Sequence, residues 1–154
     1  MRRFEVTAPP VPIERILRAL GVDFRFAPFD RDLSGMSHVK AGVPIIVANA
    51  KHHPNRQRFT LAHEFGHVTL HRPLLEKVVH VDKGSLKRDA TSAMGTDAHE
   101  IEANAFASEL LIPQVLLDAE IAGRQIDMED DGVIDELARR FQVSVAAMRF
   151  RLQG

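Results

Sequence analysis

Apolar and polar positions follow two periods along this chain, and the switches between them mark its elements. Ile13, Ile16, Leu17 and Leu20 keep helical spacing, so a short helix is expected over 13–20, behind Pro9, Pro10 and Pro12 and closed by Gly21. Val22 to Phe29 alternates apolar residues with polar or small ones, the period of a strand. Ser34–Val39 and Val43–Ala48 predict two more strands, with Ala41-Gly42 as the turn between them. Pro44 to Ala50 is apolar on both faces, which predicts a buried strand. From His53-Pro54-Asn55 a helix is expected to about His71, where Pro73 stops it. Phe59, Leu61, Ala62, Phe65, Val68 and Leu70 cover that helix on almost every side, so it belongs in the core. Lys77–Val81 predicts a short strand and the polar stretch Asp82–Thr96 a loop. Helices follow at Asp97–Ile112, Gln114–Ala122, about Val133–Phe141 and Val145–Leu152. Strands early and helices late predict an α+β class, with a small N-terminal sheet packed on the helix of 53–71 and a mainly helical C-terminal half.

Composition narrows the chemistry. The 154 residues are 45% hydrophobic, enough for one domain spanning 1–154 to have a real core. A net charge of −1 argues against a general nucleic-acid or membrane-surface binder. With no cysteine, any metal must sit on His, Asp or Glu. No apolar leader and no stretch approaching a membrane span is visible, so a cytoplasmic protein is expected.

Against that background His63-Glu64-Phe65-Gly66-His67 stands out. Two histidines four apart on a helix differ by about 40° in direction and about 6 Å in rise, so their rings can meet one metal ion. Glu64 projects about 100° away, where a general base for a water molecule belongs. This H-E-x-x-H spacing suits hydrolysis assisted by one zinc ion, with His63 and His67 as ligands and Glu64 as the catalytic base.

Catalytic zinc takes three protein ligands and leaves a fourth position open. His71 lies about 12 Å along the helix from His63, too far to complete the set. A pattern with glycine at 70 and histidine at 73 is excluded by Leu70 and Pro73. A carboxylate from the helix after Asp97 remains. Ile101, Ala105, Phe106, Leu110 and Ile112 form one apolar face of that helix, with Glu102 in its middle. A buried carboxylate needs a compensating partner, so Glu102 is the favoured third ligand. Glu100, which also reads as part of a capping box with Asp97, and Glu109 are the alternatives.

With these residues in view, the chain resembles the ImmA/IrrE-type zinc metallopeptidases, bacterial and phage proteins of the gluzincin kind. The resemblance rests on Asn55-Arg56-Gln57-Arg58-Phe59-Thr60-Leu61-Ala62-His63-Glu64-Phe65-Gly66-His67 with Leu70-His71, and on Glu102-Ala103-Asn104-Ala105-Phe106-Ala107-Ser108-Glu109-Leu110-Leu111-Ile112-Pro113. It implies a zincin-like fold, zinc on His63, His67 and Glu102, and Glu64 as base. It also implies site-specific cleavage of a protein substrate, a helix-turn-helix transcriptional repressor encoded nearby. Some such proteins belong to toxin–antitoxin pairs, and a non-proteolytic antirepressor on the same fold is the rival expectation.

The stretch 130–152 has the cadence of a helix-turn-helix, and Arg139, Arg140, Arg149 and Arg151 make it locally basic. The plainer reading is a helical hairpin that completes the core through Leu137, Phe141, Val143, Val145 and Met148. Acidic residues Glu129, Asp130, Asp131, Asp135 and Glu136 would repel DNA, so direct DNA binding is not expected.

Overall fold

The computed structural model describes residues 6–83 and 97–153. Among these, seven helices and one four-stranded sheet form a mixed α+β fold. The order is α1 (Ile13–Ala19), β1 (Asp23–Ala27), β2 (Gly35–Lys40), β3 (Val43–Asn49), α2 (Pro54–Leu70), α3 (Arg72–Leu75), β4 (His80–Asp82), α4 (Asp97–Leu111), α5 (Gln114–Glu120), α6 (Asp131–Phe141) and α7 (Val145–Gln153). Each expected element is found within a few residues of its expected ends. The loop expected over 82–96 lies, from residue 84 onward, outside the described residues.

The sheet runs β1-β3-β2-β4, with β1 parallel to β3 and the other two pairings antiparallel. Ala41 and Gly42 both take positive φ, 52° and 80°, the geometry of a two-residue hairpin turn that follows the twist of β2 and β3. The sheet is not purely N-terminal. Its edge strand β4 is contributed after α2, which brings residues 80–82 back to the face that α2 covers. Ser37 of β2 lies directly opposite His80 of β4. Directly opposed residues point to the same face, so both side chains meet the helix packed there.

Helix α2 starts on Pro54, with the His53 ring accepting the Asn55 N–H at 3.0 Å. It is buried from Thr60 to Glu64 and again at Gly66–Val68. The core around it includes Ile13, Ile16 and Leu17 of α1, Ile46 of the sheet, Leu111 of α4, and Ile134, Leu137 and Phe141 of α6. Each such fully buried side chain contributes about 1.5–3 kcal/mol.

The approach of α2 to α4 sets the register of the whole centre. Gly66 faces α4 so closely that a Cβ there would stand 3.3 Å from Ala103 Cα and 3.2 Å from Phe106 Cβ. Ala103, Ala107 and Leu111, at helical spacing, are buried in this contact. Ile101, expected on the buried face, is 67% exposed. Small residues, rather than the bulkiest apolar ones, define the inner face of α4. One turn before Ala103 the same face carries Glu100.

The segment 131–153 packs as the helical hairpin of the plainer reading. Ile134, Leu137, Phe141, Val143 and Met148 are buried, whereas Val145, also expected inside, is 38% exposed. Gln142 ends α6 in the left-handed conformation, and the backbone carbonyls of this turn accept from Arg58 and Asn55 of α2. The hairpin arginines all have partners within the chain. Arg139 meets Asp135, Arg140 meets Glu120, Arg149 meets Asp131, and Arg151 donates to the Ile112 carbonyl.

Gly66→Ala tests the helix contact. Helix propensity alone favours alanine by about 1 kcal/mol, but overpacking of a tight contact costs about 1–3 kcal/mol. Urea denaturation in the presence of a chelator should show a net loss of stability. A clear gain would mean that α2 and α4 are not in close contact.

Candidate metal centre

The buried centre collects residues from three elements. Helix α2 supplies His63, Glu64 and His67, α4 supplies Glu100, and the sheet supplies Ser37, His80 and Asp82. His63, Glu64 and His67 are almost completely buried. Helical spacing turns both imidazoles toward α4, as expected, and their rings meet edge to face with centroids 4.8 Å apart.

The carboxylate that meets them is Glu100. Its Oε1 lies 3.4 Å from His63 Nε2, and its Oε2 lies 2.7 Å from His67 Nε2. Glu102, the favoured third ligand from the sequence, is not part of this group. It projects from the outer side of α4, 57% exposed at the side chain, and its Oε1 meets His71 Nε2 at 3.1 Å. Ile101 and Ala105, expected on the inner face of α4, are both exposed. The contact with Gly66 selects Ala103 and Ala107 instead, and Glu100 shares their stripe. Glu109, the other alternative, is exposed.

These atoms fit a cation better than they fit one another. His63 Nε2, His67 Nε2 and Glu100 Oε2 are buried, and none has a hydrogen-bond partner among the described residues, although Glu100 Oε2 and His67 Nε2 close to 2.7 Å. Unpaired buried polar atoms are costly. Lone pairs that converge without hydrogen-bond geometry are what metal ligands present. Ligand atoms around tetrahedral zinc lie about 3.3 Å apart, given bonds of about 2.0–2.1 Å. The observed 3.4 and 2.7 Å bracket that spacing. His63, His67 and Glu100 therefore form a set that could hold one divalent ion.

Glu64 is fully buried and held from one side only. Its Oε1 accepts from the Ser37 hydroxyl at 2.6 Å and from His80 Nδ1 at 3.0 Å. Its Oε2 has no hydrogen-bond partner among the described residues and stands 3.8 Å from His63 Nε2. The sheet thus fixes one oxygen and leaves the other on the side of His63.

His80 also approaches Glu100, with its Nε2 3.2 Å from Oε2. Asp82, two residues along the same strand, has its Oδ2 3.7 Å from His63 Nε2.

The electrostatics are those of a site short of positive charge. Burial works against the imidazolium form of His80, but Glu64 and Glu100 outweigh it and push its pKa up to about 10. Burial likewise opposes charge on Glu100, yet His63, His67 and His80 hold its carboxyl well below the usual range. Glu64 follows the same pattern: burial is outweighed chiefly by His80, and its pKa is lowered. With protein groups alone, imidazolium supplies the positive charge. A divalent ion would supply it in the same place and release protons as it bound.

The sequence profile of the Peptidase M78 family, described as the IrrE N-terminal-like domain, matches residues 17–153. The chain belongs to this family. Its fold is similar to that of a Mycobacterium tuberculosis transcriptional regulator, with a TM-score of 0.60 and 17% sequence identity. The likeness covers 96% of this chain and 42% of that one, so the chain spans less than half the regulator's length. No curated protein matches the chain in sequence. No helix among the described residues is long and apolar enough to cross a membrane.

For this family member, sequence reasoning named His63, Glu64 and His67 but missed Ser37 and misplaced the carboxylate of α4. Ser37 carries no signal beyond its alternation within a strand. His80 gave a faint one, as a histidine inside an expected short strand.

Two measurements follow from this geometry. Glu100→Ala should weaken zinc binding, read by competition with a chromogenic chelator, by more than the about 10–100-fold typical of losing an outer partner of a ligand. Wild-type affinity in that variant would remove Glu100 from the site. Ser37→Ala should destabilise the chelator-treated protein by about 1–3 kcal/mol, because a buried carboxylate oxygen loses a donor. An unchanged denaturation midpoint would mean that the 2.6 Å contact contributes nothing.

Proposed function

We propose that this chain is a zinc-dependent endopeptidase that cuts a protein regulator, with His63, His67 and Glu100 as metal ligands and Glu64 as the catalytic base. One observation carries the reading. The Oε2 of a fully buried glutamate, without a hydrogen-bond partner among the described residues, stands 3.8 Å from His63 Nε2, and His63, His67 and Glu100 bring together lone pairs without hydrogen bonds. Membership of a peptidase family agrees with it.

When bound, zinc supplies Lewis acidity, lowering the pKa of a water and polarising a carbonyl. The chain's own residues handle the proton. Glu64 Oε2 takes it from the attacking water and returns it to the leaving amine, so the peptide bond is exchanged for one carboxylate and one amine. Ser37 and His80 hold Oε1 throughout, which keeps Oε2 aimed at the reacting atoms. Burial excludes bulk water from the carboxylate.

A groove of about 410 Å³ beside the site supports a polypeptide substrate. Its lining includes Asn55, Arg56, Phe59, Asn104, Ser108 and Phe150. Phe59 stacks on His63, with ring centroids 6.3 Å apart, and Asn104 follows Glu100 by one turn of α4, so one wall of the groove adjoins the centre. Its apolar walls suit side chains and its amides suit a peptide backbone. The substrate proposed is a helix-turn-helix repressor. The protein of similar fold is described as a transcriptional regulator, and that description is what suggests a regulatory protein as substrate.

The test is incubation of the zinc-loaded protein with such a repressor, comparing wild type with Glu64→Gln. Discrete fragments are expected from the wild type, with the rate in the variant reduced by at least about 100-fold, the loss expected when a general base is removed. If both proteins inactivate the repressor equally without fragments, sequestration is the function and the peptidase reading fails.

A further inference from the structure

Beside the metal centre lies a second group that the proposed reaction does not use. His71 at the end of α2 is buried, and its Nδ1 lies 3.1 Å from His67 Nδ1. Its Nε2 lies 3.1 Å from Glu102 Oε1, and its ring packs on that of His99 with centroids 4.2 Å apart. His71, His99 and Glu102 are close enough together to be considered as a second metal site.

Counting ring protons decides between two uses of His71. A histidine that offers Nε2 to a cation carries its one proton on Nδ1. For His67 that proton points at His71 Nδ1, which must then accept. The proton of His71 is thereby forced onto Nε2, where it donates to Glu102. Every donor in this chain of three has an acceptor. In the reverse direction His71 would donate to His67, leaving the Nε2 lone pair of His71 against the Glu102 carboxylate. The carboxylate at the far end therefore sets the direction. A second cation on His71 would need the Nε2 lone pair and so place a proton on Nδ1, directly against that of His67. The two uses exclude each other.

We propose that His71 and Glu102 are positioning residues for the metal ligand His67: they fix its tautomer and ring orientation through a relay from His67 to His71 to Glu102. A carboxylate or carbonyl behind a ligand histidine commonly does this directly. Here a second imidazole is interposed, which lets a carboxylate on the outer side of α4 act on a buried ligand. The inference rests on His67 being a ligand, as in the function proposed above.

The experiment uses zinc alone as ligand and three variants, Glu102→Leu, Glu102→Gln and His71→Phe. Glu102 is largely exposed, so its substitution should leave the thermal midpoint of the chelator-treated protein unchanged. Chelator competition should show zinc affinity reduced about 10–100-fold in Glu102→Leu. The loss should be smaller in Glu102→Gln, whose amide oxygen still accepts from His71, and at least as large in His71→Phe. Imidazole nitrogen NMR of the zinc-loaded protein gives an independent reading. His67 should carry its proton on Nδ1 and His71 its proton on Nε2, the arrangement that passes from His67 through His71 to Glu102.

Wild-type affinity in Glu102→Leu, or a His71 proton found on Nδ1 in the zinc-loaded wild type, would overturn the relay. So would two zinc ions per wild-type chain, one of them lost in that variant. A wild-type chain that binds no zinc would instead overturn the metal reading, and the relay with it.

Discussion

The structure depends on one close contact, between Gly66 of α2 and the Ala103–Phe106 turn of α4. A helix carrying two histidines can present them to a metal only if a second helix comes near enough to deliver a short carboxylate. Glycine on one side and alanines on the other permit that approach, and the spacing along α4 then decides which carboxylate arrives. Glu100 lies on the same stripe as Ala103 and Ala107. Glu102, two residues later, is turned to the outside and reaches the centre only through His71.

The sheet plays the complementary part. Burying Glu64 completely would be prohibitive without donors. The opposition of Ser37 and His80 on neighbouring strands supplies two to the same oxygen. The edge strand that carries His80 also brings Asp82 near His63. The centre thus concentrates negative charge from Glu64, Glu100 and Asp82 around three imidazoles, and its chemistry follows from that imbalance. In the function proposed above, that imbalance draws in a cation, and the Glu64 oxygen without a partner among the described residues accepts the proton.

Much of this was legible in the chain, and the limits have physical causes. The period of apolar residues located the helices and strands, because burial on one face leaves its mark at each turn or alternate residue. Ala41-Gly42 marked a hairpin, and H-E-x-x-H marked the shared face of His63 and His67. The face of α4 was misjudged because that helix is apolar in several directions. Only the partner helix, through Gly66, distinguishes a small-residue stripe from a bulky one. Ser37 and the order β1-β3-β2-β4 were invisible for a related reason: strand pairing and register are set by contacts between segments far apart in sequence. Asp97-x-x-Glu100 also offered a local explanation of Glu100 that hid its longer-range role.

The most direct test of the central claim is a crystal structure of the zinc-loaded protein, with the ion located by anomalous scattering at the zinc edge. A single strong peak bounded by His63 Nε2, His67 Nε2 and a Glu100 carboxylate oxygen, with Glu64 Oε2 close by but not bound, is the predicted result. A peak seated on His71, His99 and Glu102, or a zinc ion ligated by His63 and His67 without Glu100, would contradict the account.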